Sequence, residues 1–297
     1  MATGCTLCPR ECNVERQKGQ KGFCGATSDV KIARVSLHHW EEPCISGKNG
    51  SGTVFFSGCN MKCVFCQNYE ISTLNKGYIV SAEELAECFL NLQNRNAHNI
   101  NLVTPTHYAD DIIKALDIAK KKGLNIPVVY NSGGYEKIET LKKLKDYIDI
   151  YIPDFKYFND KYAIKYSSAN DYCNTVKNAI DEMYAQTGPF VINKNGIMEK
   201  GVIVRHLMLP GLLFDTKKII DYLYDSYGDN IYLSIMSQYT PMPNTLNIEK
   251  LNKKLSINHY NTMINYCEEK GIKYAFIQGE DSADKCYIPE FYDKKGD

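Results

Sequence analysis

The chain has 297 residues, 44% of them hydrophobic and 24% charged, a composition that suits one large globular core or two small ones and indicates neither a membrane nor a low-complexity class. Thirty-five basic residues balance thirty-five acidic ones, so no broad field draws in nucleic acid or an anionic membrane. The longest apolar runs, such as Ile100 to Val103 and Ile203 to Leu209, are too short or too interrupted to cross a bilayer.

Met1-Ala2-Thr3-Gly4-Cys5 has neither the basic nor the apolar region of a secretory signal, so a cytoplasmic location with reduced thiols is expected. Cys5, Cys8, Cys12 and Cys24 follow, interleaved with Gly19, Gly22 and Gly25. So short a segment has little core of its own, and a Cys-rich metal-binding extension over residues 1–50 is expected. Four thiolates complete a zinc site or ligate a second iron-sulfur cluster, and the spacing does not decide between them. Cys44 stands apart and could join either cysteine group.

Beyond residue 50, short β-branched runs alternate with stretches of helical period. The expected strands are 53–57, 99–104, 126–131, 148–153, 202–208, 230–236 and 272–277. Ser81-Ala82-Glu83-Glu84 opens a helix as an N-cap with an acidic first turn, and Leu85, Phe89 and Leu92 line one face. Further helices are expected near 109–122, 135–146, 159–186, 215–227 and 257–270. Cys88, Cys173, Cys267 and Cys286 suit helix or loop packing. This is the βα pattern of a parallel sheet. Six βα units fit residues 51–297, favouring an α/β fold of the incomplete (βα)6 TIM-like barrel type over a flavodoxin-like open sheet.

The strand at 53–57 leads into Cys59-Asn60-Met61-Lys62-Cys63-Val64-Phe65-Cys66. Structural zinc usually takes two separated pairs of ligands, whereas here three cysteines come together with no fourth Cys or His close downstream. The spacing favours a 4Fe-4S cube held through three irons, leaving the fourth open to a substrate or cofactor. The other polar motifs also fall at expected strand ends: Thr104-Pro105-Thr106-His107, Asn131-Ser132-Gly133-Gly134, Asp154-Phe155-Lys156 and Ser237-Gln238-Tyr239, with Arg205 and His206 within the fifth strand. Taken alone, the Asn131 turn reads as a glycine-bearing helix start, and Asp154 with Lys156 as a solvent-facing ion pair. Arg205 and His206 alternate, so one points inward and the other towards the helices; His206 reads as a buried structural histidine. His107, on a loop, is the better placed of the two for substrate contact. Tyr135, Tyr239 and Gln238 are weaker candidates among 22 tyrosines and many polar loop residues.

The triplet ending in Cys66-Gln67-Asn68, after Phe55-Phe56-Ser57-Gly58, resembles the cluster motif of radical SAM enzymes, and specifically of the PflX-like group related to pyruvate formate-lyase activating enzymes. The likeness extends to Cys5-Thr6-Leu7-Cys8-Pro9-Arg10-Glu11-Cys12, Trp40-Glu41-Glu42-Pro43-Cys44, Tyr130-Asn131-Ser132-Gly133-Gly134-Tyr135, Pro153-Asp154-Phe155-Lys156-Tyr157, Val204-Arg205-His206-Leu207-Met208-Leu209-Pro210-Gly211 and Met236-Ser237-Gln238-Tyr239. It implies that Cys59, Cys63 and Cys66 hold the cube, whose open iron chelates S-adenosylmethionine. One-electron cleavage to methionine and a 5'-deoxyadenosyl radical then leads to hydrogen abstraction from a substrate. Asn131, Ser132 and Gly133 would form a ribose-binding loop, and Lys156 of the Asp154-x-Lys156 pair would face the cofactor's carboxylate. Arg205, with His206, Thr104, Thr106 and Gln238, would add cofactor contacts. Phe65 either packs on the adenine side or fills core. His107, Lys156 and Arg205 are the catalytic candidates. The glycyl-radical activases supply, by analogy, a protein or peptide substrate and a flavodoxin or ferredoxin as reductant. Two departures stand out: Thr104-Pro105-Thr106 occupies the place of the Gly-Gly-Glu found in many radical SAM proteins, and the pair of CxxCxxxC clusters inserted after the triplet in some glycyl-radical activases is missing. An iron-sulfur electron-transfer protein or zinc-stabilised binding protein without SAM cleavage is the alternative.

Overall fold

The computed structural model describes residues 4–278; Cys286 lies outside them. Strand β1, Val30–His38, leads through the single turn α1, Pro43–Ser46, into β2, Ser51–Phe56, and the two strands pair antiparallel. After the thiol-bearing loop come α2, Tyr69–Ser72, and the edge strand β3, Tyr78–Val80, antiparallel to β1. From there helix and strand alternate. The order is α3 Ala82–Asn94, β4 Ile100–Val103, α4 Ala109–Lys121, β5 Val128–Ser132, α5 Ile138–Leu144 and β6 Ile150–Pro153. The second half continues with α6 Asp160–Ser167, α7 Tyr172–Thr187, β7 Val191–Ile192, β8 Met198–Leu207, α8 Leu213–Tyr227, β9 Tyr232–Met236, α9 Ile257–Glu269 and β10 Ala275–Ile277.

The strands lie in the order β10-β9-β8-β6-β5-β4-β2-β1-β3, with β7 hairpinned onto β8. Every pairing from β2 across to β10 is parallel. The sheet ends at β10 on one side and β3 on the other, an open α/β arrangement of the partial-barrel type. All seven strands expected from the sequence form this parallel run. Its burial follows from the helices that cover it: Leu85, Phe89 and Leu92 of α3 and Ile112, Ala115, Leu116 and Ala119 of α4 are all buried, each large side chain contributing roughly 1.5–3 kcal/mol. Ser81 caps α3 in a complete capping box with Glu84.

Two expectations need correction. Residues 1–50 are not an appendage set apart from a core beginning at 51, because β1 belongs to the same sheet as β2 and pairs with it from Ile32 to His38, with one irregularity between Ile32 and Arg34. The single helix expected over 159–186 is two: Ser168 and Asp171, in the run Ser167-Ser168-Ala169-Asn170-Asp171, take φ of 49° and 51° and break it. Register then fixes where chemistry gathers. Phe55, Val103, Asn131 and Ile152 lie side by side at the ends of β2, β4, β5 and β6, so the loops leaving those strands share one rim.

Candidate functional site

The triplet loop leaves β2 through Gly58, whose φ of 91° is left-handed and whose position would put a Cβ 2.7 Å from the carbonyl oxygen of Cys24; both demands require glycine. Cys63 is buried, and Cys59 and Cys66 are half-buried. Ser167 Oγ donates to Cys63 Sγ at 2.9 Å, Ser72 Oγ to Cys66 Sγ at 3.2 Å, and the Met61 amide to Cys59 Sγ at 3.3 Å. Each sulfur therefore has a donor that favours the thiolate. Burial nevertheless pushes the Cys63 thiol up to about 12 and raises Cys66, with nearby Lys156 and the serine donors acting in the opposite direction. Such sulfurs lose their protons when a metal is there to take them. Among the described residues no three His, Cys, Asp or Glu side chains already converge as a finished metal site, and this holds for the triplet and the N-terminal quartet alike.

Lys156 is the cation of this pocket. Its side chain is 17% exposed and ion-paired with Asp154. Burial works against its charge, but the Asp154 carboxylate, joined by the sulfurs of Cys63 and Cys66 once they are thiolates, more than offsets that and holds it charged. The Tyr172 hydroxyl accepts from the Lys156 amide at 2.9 Å and shares its one proton between the carbonyls of Asp154 and Gly133, at 2.8 and 3.0 Å, tying the β5 and β6 loops together. Gly134, at φ 74°, leaves only 2.4 Å between a Cβ and the Asp154 oxygen, and at Gly133 a Cβ would meet Met61 Sδ at 2.7 Å. The two glycines let the β5 loop, the β6 loop and the triplet loop approach one another. Gln238, on the loop after β9, accepts at its carbonyl from Gln67 Nε2 at 3.5 Å and so borders the triplet loop from the far side.

Other sequence candidates sit elsewhere. Arg205 points into the barrel interior and is ion-paired with Glu41 and Glu42, with Asn101 Nδ2 donating to Glu41 at 2.9 Å; its guanidinium is engaged by the chain's own carboxylates. His206 faces outward, its ring nitrogens 2.7 Å from the Phe155 carbonyl and 2.9 Å from Thr216 Oγ1, and burial lowers its pKa to about 4, the structural role favoured for it. His107 is buried, not displayed to a substrate: Nε2 is 2.8 Å from the Ser57 carbonyl and Nδ1 is without a partner. Burial lowers it likewise to about 4. Phe65 packs edge-on against Tyr157 and Tyr239, with centroids 6.4 and 6.2 Å away. Tyr135 and Tyr239 are buried, their hydroxyls given to the carbonyls of Asn170 and Leu251.

Sequence reasoning missed Glu136. Its carboxylate, buried behind the rim, accepts from Thr106 Oγ1 at 2.7 Å and Tyr130 Oη at 3.0 Å, and burial raises its pKa against the pull of Thr106, Tyr130 and Ser132. Nothing local marks it, since its partners come from two other segments. Ser72, Ser167 and Tyr172 were missed for the same reason. A surface cavity of about 310 Å³ between α8 and α9, lined by Leu213, Phe214, Lys217, Met263 and Tyr266 among others, shares no residue with this rim.

This rim can be compared with known proteins. The "Uncharacterized protein MJ0674" of Methanocaldococcus jannaschii is 31% identical over 262 residues, covering 85% of this chain and 70% of that protein. The "Putative glycyl-radical enzyme activating enzyme MJ1227" of the same organism is 32% identical over 39% of this chain and 47% of its own length. Among solved structures, methylornithine synthase (PylB) superposes with a TM-score of 0.51 at 15% identity over 73% of this chain and 60% of that one. The hydrogenase maturase HydG of Carboxydothermus hydrogenoformans gives 0.51 at 14%, over 73% and 50%. The chain thus spans half to three-fifths of the length of these two enzymes, and they speak for the fold alone. The family described as the Radical SAM superfamily matches residues 53–223, more than half of the chain and the whole stretch from the triplet loop to α8, so this protein belongs to the radical SAM superfamily.

Proposed function

We propose that Cys59, Cys63 and Cys66 hold a 4Fe-4S cluster and that the rim beside them binds S-adenosylmethionine for reductive cleavage. The donor set fits the group. Three sulfurs share one loop, each with a hydrogen-bond donor, and the glycine pair at 133 and 134 leaves a cradle that side chains would fill. The observation that carries the reading is Lys156: a charged, nearly buried ammonium set against the triplet sulfurs and oriented by Asp154, which a solvent-facing ion pair would not need. When bound, the cluster and cofactor together supply a 5'-deoxyadenosyl radical.

The chain's own groups then have definite tasks. Ser167, Ser72 and the Met61 amide stabilise thiolate charge and tune the cluster potential. Lys156 takes the cofactor's carboxylate, Asp154 keeping it in place. Asn131 and the freed backbone at Gly133 face the ribose, with Ser132 buried behind them, its hydroxyl on the Gly134 amide and Glu136; Thr104 and neighbouring carbonyls stand where Gly-Gly-Glu would hold the amino group, and Gln238 closes the opposite edge. Arg205 and His206 act from behind, as parts of the barrel wall. The partial kinship with MJ1227 supports a protein or peptide substrate, a glycyl-radical enzyme by analogy, with a flavodoxin or ferredoxin as electron donor.

The test is anaerobic reconstitution with iron and sulfide, reduction, addition of S-adenosylmethionine and quantification of 5'-deoxyadenosine beside a Cys63→Ala control. Production in the wild type alone is the expected result. A protein that demonstrably carries a reduced cluster yet yields no product, with candidate partners added, would overturn the proposal in favour of electron transfer or binding without cleavage.

A further inference from the structure

Between Gly4 and Ser28 the chain forms no strand and only one helical turn, Arg16–Lys18, and its only buried residues are Cys8, Cys24 and Ala26. Three small buried side chains supply a few kcal/mol at most, whereas ordering a backbone costs about 1–2 kcal/mol per residue. The segment nevertheless follows a defined double turn. The Cys5 amide donates to the Val14 carbonyl and the Asn13 amide to the Cys5 carbonyl, both at 3.0 Å, closing a loop that carries Cys8 and Cys12. Glu11 and Asn13 take left-handed φ of 41° and 52° to make that loop. A second turn, with the Gly25 amide 3.0 Å from the Gly22 carbonyl, carries Cys24. The turns face each other closely: the Phe23 amide points at Cys12 Sγ at 3.4 Å, and a Cβ on Gly22 would fall 3.1 Å from that sulfur.

We propose that Cys5, Cys8, Cys12 and Cys24 hold a single zinc ion by four thiolates, and that this ion braces the triplet loop. Two tight turns that bring Cys12 against Gly22 and Phe23 suit one tetrahedral ion; the four sulfurs do not converge on their own, Zn–S bonds of about 2.3 Å would draw them together, and a cross-link of this kind supplies the ordering energy that the missing core cannot. The brace is visible in the contacts the knuckle makes. The Cys24 carbonyl accepts from the Cys59 amide at 3.4 Å and covers Gly58. Arg10 donates from Nε to the Asn60 carbonyl at 2.8 Å and from Nη2 to the Ser167 carbonyl at 3.4 Å. Arg16 donates to the His107 carbonyl at 2.6 Å, and Thr140 Oγ1 to the Leu7 carbonyl at 2.8 Å. The knuckle therefore clamps the loops after β2 and β4 and the start of α5. The zinc part stands independently of the cluster reading; the bracing part rests on it.

The experiment separates the two. The full chain carrying Cys59→Ala, Cys63→Ala and Cys66→Ala is expected to retain one zinc per chain with no iron or sulfide, and its cobalt-substituted form to show the intense visible bands of a tetrahedral tetrathiolate. Adding Cys12→Ser and Cys24→Ser should abolish both. Iron and sulfide in the triplet variant would mean a second cluster, and a zinc-free chain with an oxidised thiol pair would mean a disulfide; either overturns the site. For the brace, Arg10→Ala in the otherwise native protein should keep its zinc yet lose iron to a chelator at least several-fold faster than the wild type. Loss at the wild-type rate would overturn the bracing role and leave the zinc site standing.

Discussion

Arg205 lies 13% exposed in the barrel interior between Glu41 and Glu42, themselves 8% and 6% exposed. Replacing it with Met keeps most of the volume and removes the charge, leaving two buried carboxylates without their cation. Removing one partner of such a buried group typically destabilises by about 3–5 kcal/mol, a hundredfold or more in the folded-to-unfolded ratio. Glu42 gives the pH signature. In the native chain burial pushes its pKa up, but the charge and hydrogen bonds of Arg205 more than offset this and hold it below the ordinary carboxylate value. It therefore stabilises the fold above the usual carboxylate range and loses that contribution as pH falls through its lowered pKa. In Arg205→Met only burial and the remaining neutral hydrogen bonds act, so the pKa rises above its unfolded value and the sign inverts. The penalty is largest at neutral pH and shrinks as the pH falls towards the carboxylate range. The assay is anaerobic urea unfolding at about pH 7.5 and pH 5, reading the difference from wild type so that other titrations cancel. Adding Glu41→Gln and Glu42→Gln should restore most of the stability. A loss below about 1 kcal/mol, or one equal at both pH values, would refute the argument that a buried ion cluster holds the barrel wall.

Gly134→Ala is expected to cost several kcal/mol, since the new Cβ meets the Asp154 oxygen at 2.4 Å in a left-handed backbone; a Tm unchanged within about 2 °C would contradict it. Lys156→Met, combined with Asp154→Asn so that no charge is stranded, should weaken S-adenosylmethionine binding by roughly tenfold to a hundredfold, from the 1.5–3 kcal/mol of a charged hydrogen bond. Calorimetry on the reconstituted protein reads this directly, and an unchanged Kd would remove Lys156 from the site. His206, lowered to about 4 by burial, contributes stability above its unfolded value near 6.5 that is lost as pH falls towards 4. His206→Gln should flatten that part of the stability profile in urea titrations, and an unaltered slope would show that another group carries it.

Much of this was legible along the chain because strand spacing and the thiol triplet are local signals. The seven parallel strands announced themselves as β-branched runs between amphipathic helices, and the register of β2, β4, β5 and β6 brings their following loops to one rim, as a parallel sheet requires. What was not legible depends on pairing across distance. Strand β1 lies within a cysteine-rich stretch and shows itself only through its partner β2. Glu136 reads as an ordinary acidic residue at a helix start until Thr106 and Tyr130 arrive from other segments. Arg205 was expected to contact the cofactor or substrate, yet only the fold reveals that Glu41 and Glu42 already occupy it.

The loop after β4 shows how a departure from the Gly-Gly-Glu pattern can be resolved by elimination. Of its two threonines, Thr106 is buried with its hydroxyl donated to Glu136, so that hydroxyl has its partner inside the protein. Thr104 remains, half-buried at the rim, its amide donating to the Asn131 carbonyl at 2.8 Å and its φ at 58°. A β-branched residue in that region is strained by about 1–2 kcal/mol, and such strain persists where the surroundings or a function demand it. Thr104→Gly relieves the strain against a glycine entropy cost of about 0.5–1 kcal/mol, so stability should stay level or rise by up to about 1 kcal/mol. If the hydroxyl is what meets the cofactor's amino group, the same variant should bind S-adenosylmethionine about tenfold or more weakly. A more stable protein with weaker cofactor binding would mark Thr104 as a residue kept for its chemistry. Undiminished affinity would assign the contact to the carbonyls of the loop, which the substitution leaves in place.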